Sequence, residues 1–182
     1  MIERDEQEFG GNIEVGKKAR SELSAPAAGN FDFLFGRWSV QHRKLRERLA
    51  GCAEWFAFPG TLEVGPILGG LGNFDYNGLA DPEGSYSAHS LRLYSSASRE
   101  WSIWWLDSRD TSAGLGPAVV GRFEGLKITL FGEDMFRGKP IRVRTSYEPL
   151  GANDAQWTQA FWRDEESNWE VNWIMDFSRR PQ

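Results

Sequence analysis

From Gly36 onward, apolar and polar positions alternate with a period near two, the spacing of half-buried strands. Trp38, Val40 and His42 alternate with Arg37, Ser39 and Gln41. Ala50-Gly51 reads as a turn, and Glu54 to Leu62 follows as a strand with Phe56 and Phe58 on one face. Pro59 lies inside that strand and predicts an edge or a bulge, because proline cannot donate to a ladder. Gly65 to Gly72 is too glycine-rich for regular pairing and predicts a bend at a sheet corner. Phe74 and Tyr76 restore a strand, and Asn77-Gly78 and Asp81-Pro82-Glu83-Gly84 carry turn chemistry.

The second half repeats the theme. Tyr86 to Tyr94 is a strand, and Glu100 to Asp107 is another, with Trp101, Ile103 and Trp105 on one face. After a loop over Asp110 to Pro117, Val119 to Phe123 and Lys127 to Phe131 predict a hairpin across Glu124-Gly125. A loop through Gly138-Lys139-Pro140 leads to strands at Ile141 to Tyr147, Gln156 to Trp162 and Trp169 to Phe177. In the first of these, Ile141, Val143 and Tyr147 claim one face, which puts Arg142 and Arg144 outside. The motif W-x-[IV]-x-W occurs at Trp101 to Trp105 and again at Trp169 to Trp173. Tryptophans four apart on a strand share a face, so both motifs read as matching places in one aromatic core.

About ten short strands with no internal helix predict an all-β fold of one domain, residues 29–182. A single antiparallel up-and-down β-barrel is favoured over a sandwich, since closure removes the edge strands. Residues 1–28 mix charges with Gly, Ala and Ser and predict a flexible tail or a short helix over the barrel mouth. Phe31, Phe33 and Phe35 then lead at alternate positions into Gly36-Arg37-Trp38, with Trp38 as the barrel's plug.

Composition narrows the function classes. With nine Trp and twelve Phe among 182 residues, aromatic burial can carry the core. One buried Trp removes about 150–250 Å² from water, an upper bound of roughly 4–6 kcal/mol. The net charge of −5 gives no electrostatic case for nucleic acid or for an anionic membrane. Arg37, Arg43, Lys44, Arg46 and Arg48 form a basic cluster, but Glu47 interrupts it and it reads as a solvated strand end. A single Cys52 excludes an internal disulfide and fits a reducing compartment. No run resembles a signal peptide or a membrane span, so a cytoplasmic protein with no membrane insertion is expected. Two His and one Cys at no ligand spacing make a metal site unexpected. Gly65 to Gly72 lacks both the P-loop ending and the dinucleotide fingerprint.

Three polar residues interrupt apolar rows: His42 after Trp38 and Val40, Asp107 after Trp105, and Gln159 between Trp157 and Phe161. Aromatic walls with a few polar groups describe a ligand pocket, so His42, Trp105, Asp107, Gln159, Phe161 and Trp173 are the candidate ligand-binding residues. His42 could meet a ligand carboxylate, act as a base, or ligate haem; the alternative is a hydrogen-bonded interior histidine. His89 shares a face with Leu91 and Leu93 and reads as structural. The leading expectation is a small apolar or amphipathic ligand held inside the barrel, with no cofactor. An enzyme using His42 or Asp107 as acid or base, and a carbohydrate-binding module with Trp platforms, are the competing readings.

Gly36-Arg37-Trp38 on the first strand, with Arg179 on the last, resembles the calycin superfamily of lipocalins and fatty-acid-binding proteins. There a G-x-W tryptophan closes the barrel base and an arginine of the last strand packs over it. The resemblance implies that closure falls to Trp38 and Arg179. Phe31-Asp-Phe-Leu34, Gly69-Gly-Leu-Gly-Asn73, Pro140-Ile-Arg-Val-Arg144 and Asn172-Trp-Ile-Met-Asp176 also resemble an uncharacterised bacterial family with a calycin-like barrel and no assigned activity.

Overall fold

The computed structural model describes residues 30–112 and 114–180, so the expected tail over residues 1–28 lies outside the described residues. Ten strands follow one another: β1 (Gly36–Leu45), β2 (Trp55–Ile67), β3 (Gly72–Leu79), β4 (Tyr86–Ser95), β5 (Glu100–Asp107), β6 (Val119–Glu124), β7 (Lys127–Phe136), β8 (Lys139–Pro149), β9 (Asp154–Arg163) and β10 (Asn168–Arg179). Each pairs antiparallel with its sequence neighbours, and β10 returns to β1 to close an up-and-down barrel. Closure leaves no edge strand exposed, which is how a long meander avoids edge-to-edge association.

Alternation along each strand sorts side chains into lumen and exterior. Trp38, Val40, His42 and Lys44 of β1 point inward, as do Trp157, Gln159 and Phe161 of β9. Arg142 and Arg144 lie outside, their guanidinium groups over the rings of Trp162 and Trp169.

The structure departs from the sequence reading at five places, each with a local cause. β2 runs through Pro59 and Gly60 as a regular strand, with Pro59 opposite Gln41 of β1. The Pro59 carbonyl accepts from Ala80 N–H, and the first β2–β3 ladder pair is Gly60 with Leu79. A residue's N–H and C=O face the same neighbour in an antiparallel ladder, so the missing donor falls just past the end of β3. The Gly65 to Gly72 run is a hairpin, with the strand reaching Ile67 and a 3-10 turn at Leu68–Gly70 making the reversal. Asn77-Gly78 is not a turn but the paired end of β3. Phe31 to Phe35 does not alternate: a 3-10 turn over Asp32–Leu34 buries Phe31 and Leu34 together, one turn apart.

The fifth departure separates the two Trp motifs. Trp101 and Trp105 share the lumen face, but the β9–β10 register shifts between Val171 and Trp173. The extra residue, Asn172, bulges, so Trp169 lies on the exterior against Trp162 while Trp173 turns inward.

One barrel end is shut by aromatic packing. Phe31 meets Trp101, Phe123 and Tyr147 edge-on at 4.9, 5.0 and 5.3 Å between centroids. Trp38 is buried beside it and donates its indole N–H to Leu34 O at 2.7 Å. The Arg179 guanidinium lies 4.1 Å from the centre of the Trp38 ring. Its two terminal nitrogens donate to the Phe35 and Phe33 carbonyls at 2.8 and 2.9 Å, tying the 3-10 turn to the last strand.

Candidate functional site

Above this base the lumen holds charged groups, among them Lys44, which the sequence reading put in a solvated strand end and which alternation on β1 instead turns inward to Asp81. On β3 the polar set is inside: Asn73, Asp75 and Asn77 face the interior, while Phe74 and Tyr76 face out around His89. Buried Asp75 pairs with Arg92 of β4 at 2.5 Å, and Arg92 also donates to Asn73 and to the Tyr147 hydroxyl. Asp75 accepts the Ser90 N–H as well. The carboxylate and Tyr147 together keep Arg92 charged despite its burial, and burial pushes the Tyr147 hydroxyl above its ordinary value.

A second buried cation stands on β1. Lys44 Nζ donates to Asp81 and to the Tyr86 hydroxyl, both at 3.0 Å, within a cage of Phe58, Tyr86 and Trp173 rings. Burial draws the Lys44 ammonium below its usual value, against the opposing pull of Asp81. Burial would raise Asp81, but the hydrogen bonds of Lys44 and of Glu83 N–H hold it below the ordinary carboxylate range. Burial also pushes the Tyr86 phenol up to about 12.

The barrel also contains a cavity of about 100 Å³ that none of these four charged residues lines. Its walls are Ile103, Trp105, Val119, Val143, Tyr147 and Trp157, with Ser90, Thr145 and Gln159 supplying polar groups. Exposed Pro117, Glu133 and Asp134 complete its lining. Thr145 is 6% exposed, and its hydroxyl has no hydrogen-bond partner among the described residues. Gln159 is held by its amide N–H, which donates to Asn172 at 3.0 Å.

The expected site residues divide around this cavity. Trp105 and Gln159 line it. Trp173 stands behind, edge-on to Trp105 at 5.7 Å and to Trp157 at 5.2 Å. Phe161 lies one pleat above Gln159, packed on Phe136 and beneath the Arg48 guanidinium. His42 is on the far side of Trp173, fully buried and stacked on Phe58 at 4.7 Å. Asp107 is engaged by Arg109, whose hydrogen bonds overcome the effect of burial and keep the carboxyl low.

His42 has no open side. Its Nδ1 accepts from Trp173 Nε1, and a Cβ built on Gly60 would fall 2.4 Å from its Nε2. Burial first, and the Lys44 charge second, bring its pKa down to about 3. Haem ligation through His42 needs a vacant position beside that ring, and the packing does not fit one. Among the described residues no group of three or more His, Cys, Asp or Glu is placed to hold a metal ion. No described helix is long and apolar enough to cross a membrane.

The sequence reading missed Ser90, Thr145, Tyr147 and the Asp75–Arg92 and Lys44–Asp81 pairs. One signal was present: Asn73-Phe-Asp-Tyr-Asn77 alternates perfectly, and its polar set was as eligible for the lumen as its aromatic set.

No family model matches the chain, and no curated protein sequence matches it. Solved structures do. Rv2717c from M. tuberculosis superposes with a TM-score of 0.56 at 12% identity, over 86% of this chain and 99% of that one. The S-type phycobiliprotein lyase CPES from Guillardia theta gives 0.55 at 6% identity, over 84% and 91%. At such identities the likeness is one of architecture. The chain folds as a ten-stranded, calycin-like antiparallel barrel.

Proposed function

We propose that this protein binds a small, largely apolar molecule, part of which lodges inside the barrel. The observation that carries the reading is the ring-walled cavity inside the barrel. An engineered apolar cavity of about 150 Å³ accepts benzene. At about 100 Å³ this one takes a single small ring or branched head, and the remainder of a longer amphipathic ligand would lie in the mouth. The structural likeness to a phycobiliprotein lyase adds a ligand-handling precedent for the architecture.

The competing readings have less support. His42 and Asp107 are both engaged and neither lines the cavity, so neither is poised as an acid or base toward a molecule bound there. A sugar platform needs open ring faces. The exterior pair Trp162 and Trp169 meets at 70°, with Arg142 and Arg144 over the rings.

The test is a titration with benzene, a single small ring, followed by calorimetry. Saturable binding is expected, and Thr145→Leu, which fills the cavity, should abolish it while a cooperative thermal melt persists. Absence of binding by benzene and by other small apolar probes overturns the reading.

A further inference from the structure

The basic cluster at the end of β1 holds a cation that no acceptor of the chain engages. The β1–β2, β7–β8 and β9–β10 connections share the barrel end away from Trp38, as alternate connections of an up-and-down barrel must. Arg48, in the first of them, is half-buried, its guanidinium 5.7 and 6.0 Å from the ring centres of Phe161 and Trp173. It forms no hydrogen bond or ion pair with any described residue, yet none of its nitrogens is sealed from solvent. The charged groups around it are engaged: Lys44 with Asp81, Arg109 with Asp107, and the Glu170 carboxylate with Leu49 N–H. Burial draws the Arg48 guanidinium below its usual value, against the pull of Tyr86, Glu170 and Asp81. Arg48 lines a cleft of about 520 Å³ among the three connections. Two of the cleft's other arginines are spoken for, Arg142 by Asp164 and Arg163 by Glu166. Its remaining carboxylates, Glu133 and Glu165, are exposed, and neither comes within ion-pair distance of Arg48.

We propose that this cleft is an anion site, in which Arg48 receives the carboxylate or phosphate monoester of a small organic molecule whose apolar body lies against Leu49, Phe136 and Ile141. The ring faces beneath Arg48 hold the guanidinium in place but offer it no oxygen. Its N–H donors form a rigid fork that matches a carboxylate or a phosphate. An oxyanion entering the cleft meets a cation already oriented and partly stripped of water, where charge-assisted hydrogen bonds are strong. The volume falls within the range of small-molecule sites. Arg48 does not line the ring-walled cavity, so this site goes beyond the barrel-binding reading and does not depend on it.

The experiment compares oxyanions with a neutral probe of the same shape. The anion 2-naphthoate and its amide, 2-naphthamide, are titrated into the full chain by calorimetry at low salt, with 2-naphthyl phosphate as the second oxyanion. Their fused rings exceed the single ring that the cavity takes. At least one oxyanion should bind about tenfold more tightly than the amide, and the tighter of the two names the head group. Arg48→Gln should bring that ratio toward one while a cooperative thermal melt persists. Arg46→Gln, which removes an exposed charge of the same cluster paired to Glu54, should leave the ratio unchanged. Equal binding of oxyanions and amide, no binding by either oxyanion, a ratio that survives Arg48→Gln, or an equal fall in Arg46→Gln overturns the inference. Benzene binding in any of those cases leaves the barrel-binding reading standing alone; oxyanion preference without benzene binding leaves the anion site standing alone.

Discussion

Trp173 donates its indole N–H to Nδ1 of His42 at 3.3 Å, on the inner face where β1 and β10 meet. The bond makes Nδ1 the acceptor and so places the ring proton on Nε2, which has no partner among the described residues. A histidine held this way is a neutral packing element, and protonating Nδ1 would break its one hydrogen bond.

The pH dependence of stability follows. His42 titrates near 6.5 when unfolded and near 3 in the fold. Between those values the unfolded chain carries a proton that the native state lacks. Stability therefore rises with pH through this window, by about 1.4 kcal/mol per pH unit. The contribution is full above the unfolded value and is lost as pH falls toward 3. In urea unfolding at about pH 7.5 and about pH 4.5, the wild type should lose about 2–3 kcal/mol more than His42→Gln. Parallel losses in the two proteins would show that His42 is not held neutral.

Closure at the base depends on a fork that only arginine provides. Arg179 spans two carbonyls of the 3-10 segment while covering Trp38. Trp38→Ala should cost about 3–5 kcal/mol as a large-to-small change in a packed site. Arg179→Lys keeps the charge but cannot serve both carbonyls in one plane, and should cost about 1–3 kcal/mol. Chemical denaturation measures both, and a lysine variant as stable as the wild type would refute the fork.

The Asp75–Arg92 pair should behave as a coupled unit. Arg92→Met leaves a buried carboxylate without its cation and should cost about 3–5 kcal/mol. Asp75→Asn keeps an oxygen for Ser90 N–H but strands the guanidinium, with a similar penalty. The double variant should lose clearly less than the sum of the two. Additive losses in a denaturation cycle would mean that the charges do not depend on each other.

Two glycines of one strand make a sharp contrast. At Gly60 a Cβ would fall 2.4 Å from His42 Nε2 and 2.7 Å from the Gly78 carbonyl, whereas at Gly65 it meets nothing within 4 Å. Gly60→Ala should destabilise by about 1–3 kcal/mol or more, because backbone and a wedged ring must both shift. Gly65→Ala should stay within about 0.5 kcal/mol of the wild type. Equal melting temperatures for the two variants would contradict the packing of β2 against His42.

What the sequence determined by itself was the meander and its boundaries. Period-two alternation and turn chemistry placed the strands and marked Arg142 and Arg144 as exterior, because each of these is a property of neighbouring residues, whereas the pairing of Trp38 with Arg179 came from the resemblance to the calycin superfamily. Alternation says which residues share a face and not which face is inside, so it could not foresee that β3 turns Asn73, Asp75 and Asn77 inward. A register shift of one residue at Asn172 was equally invisible, and it put Trp169 and Trp173 on opposite sides of the wall. Only the tertiary structure decided which polar residues could be buried, since that depends on partners from distant strands: Asp75 with Arg92 and Tyr147, and Lys44 with Asp81 and Tyr86. With those charges satisfied among themselves, a space walled by Trp105, Tyr147 and Trp157 was left in the lumen.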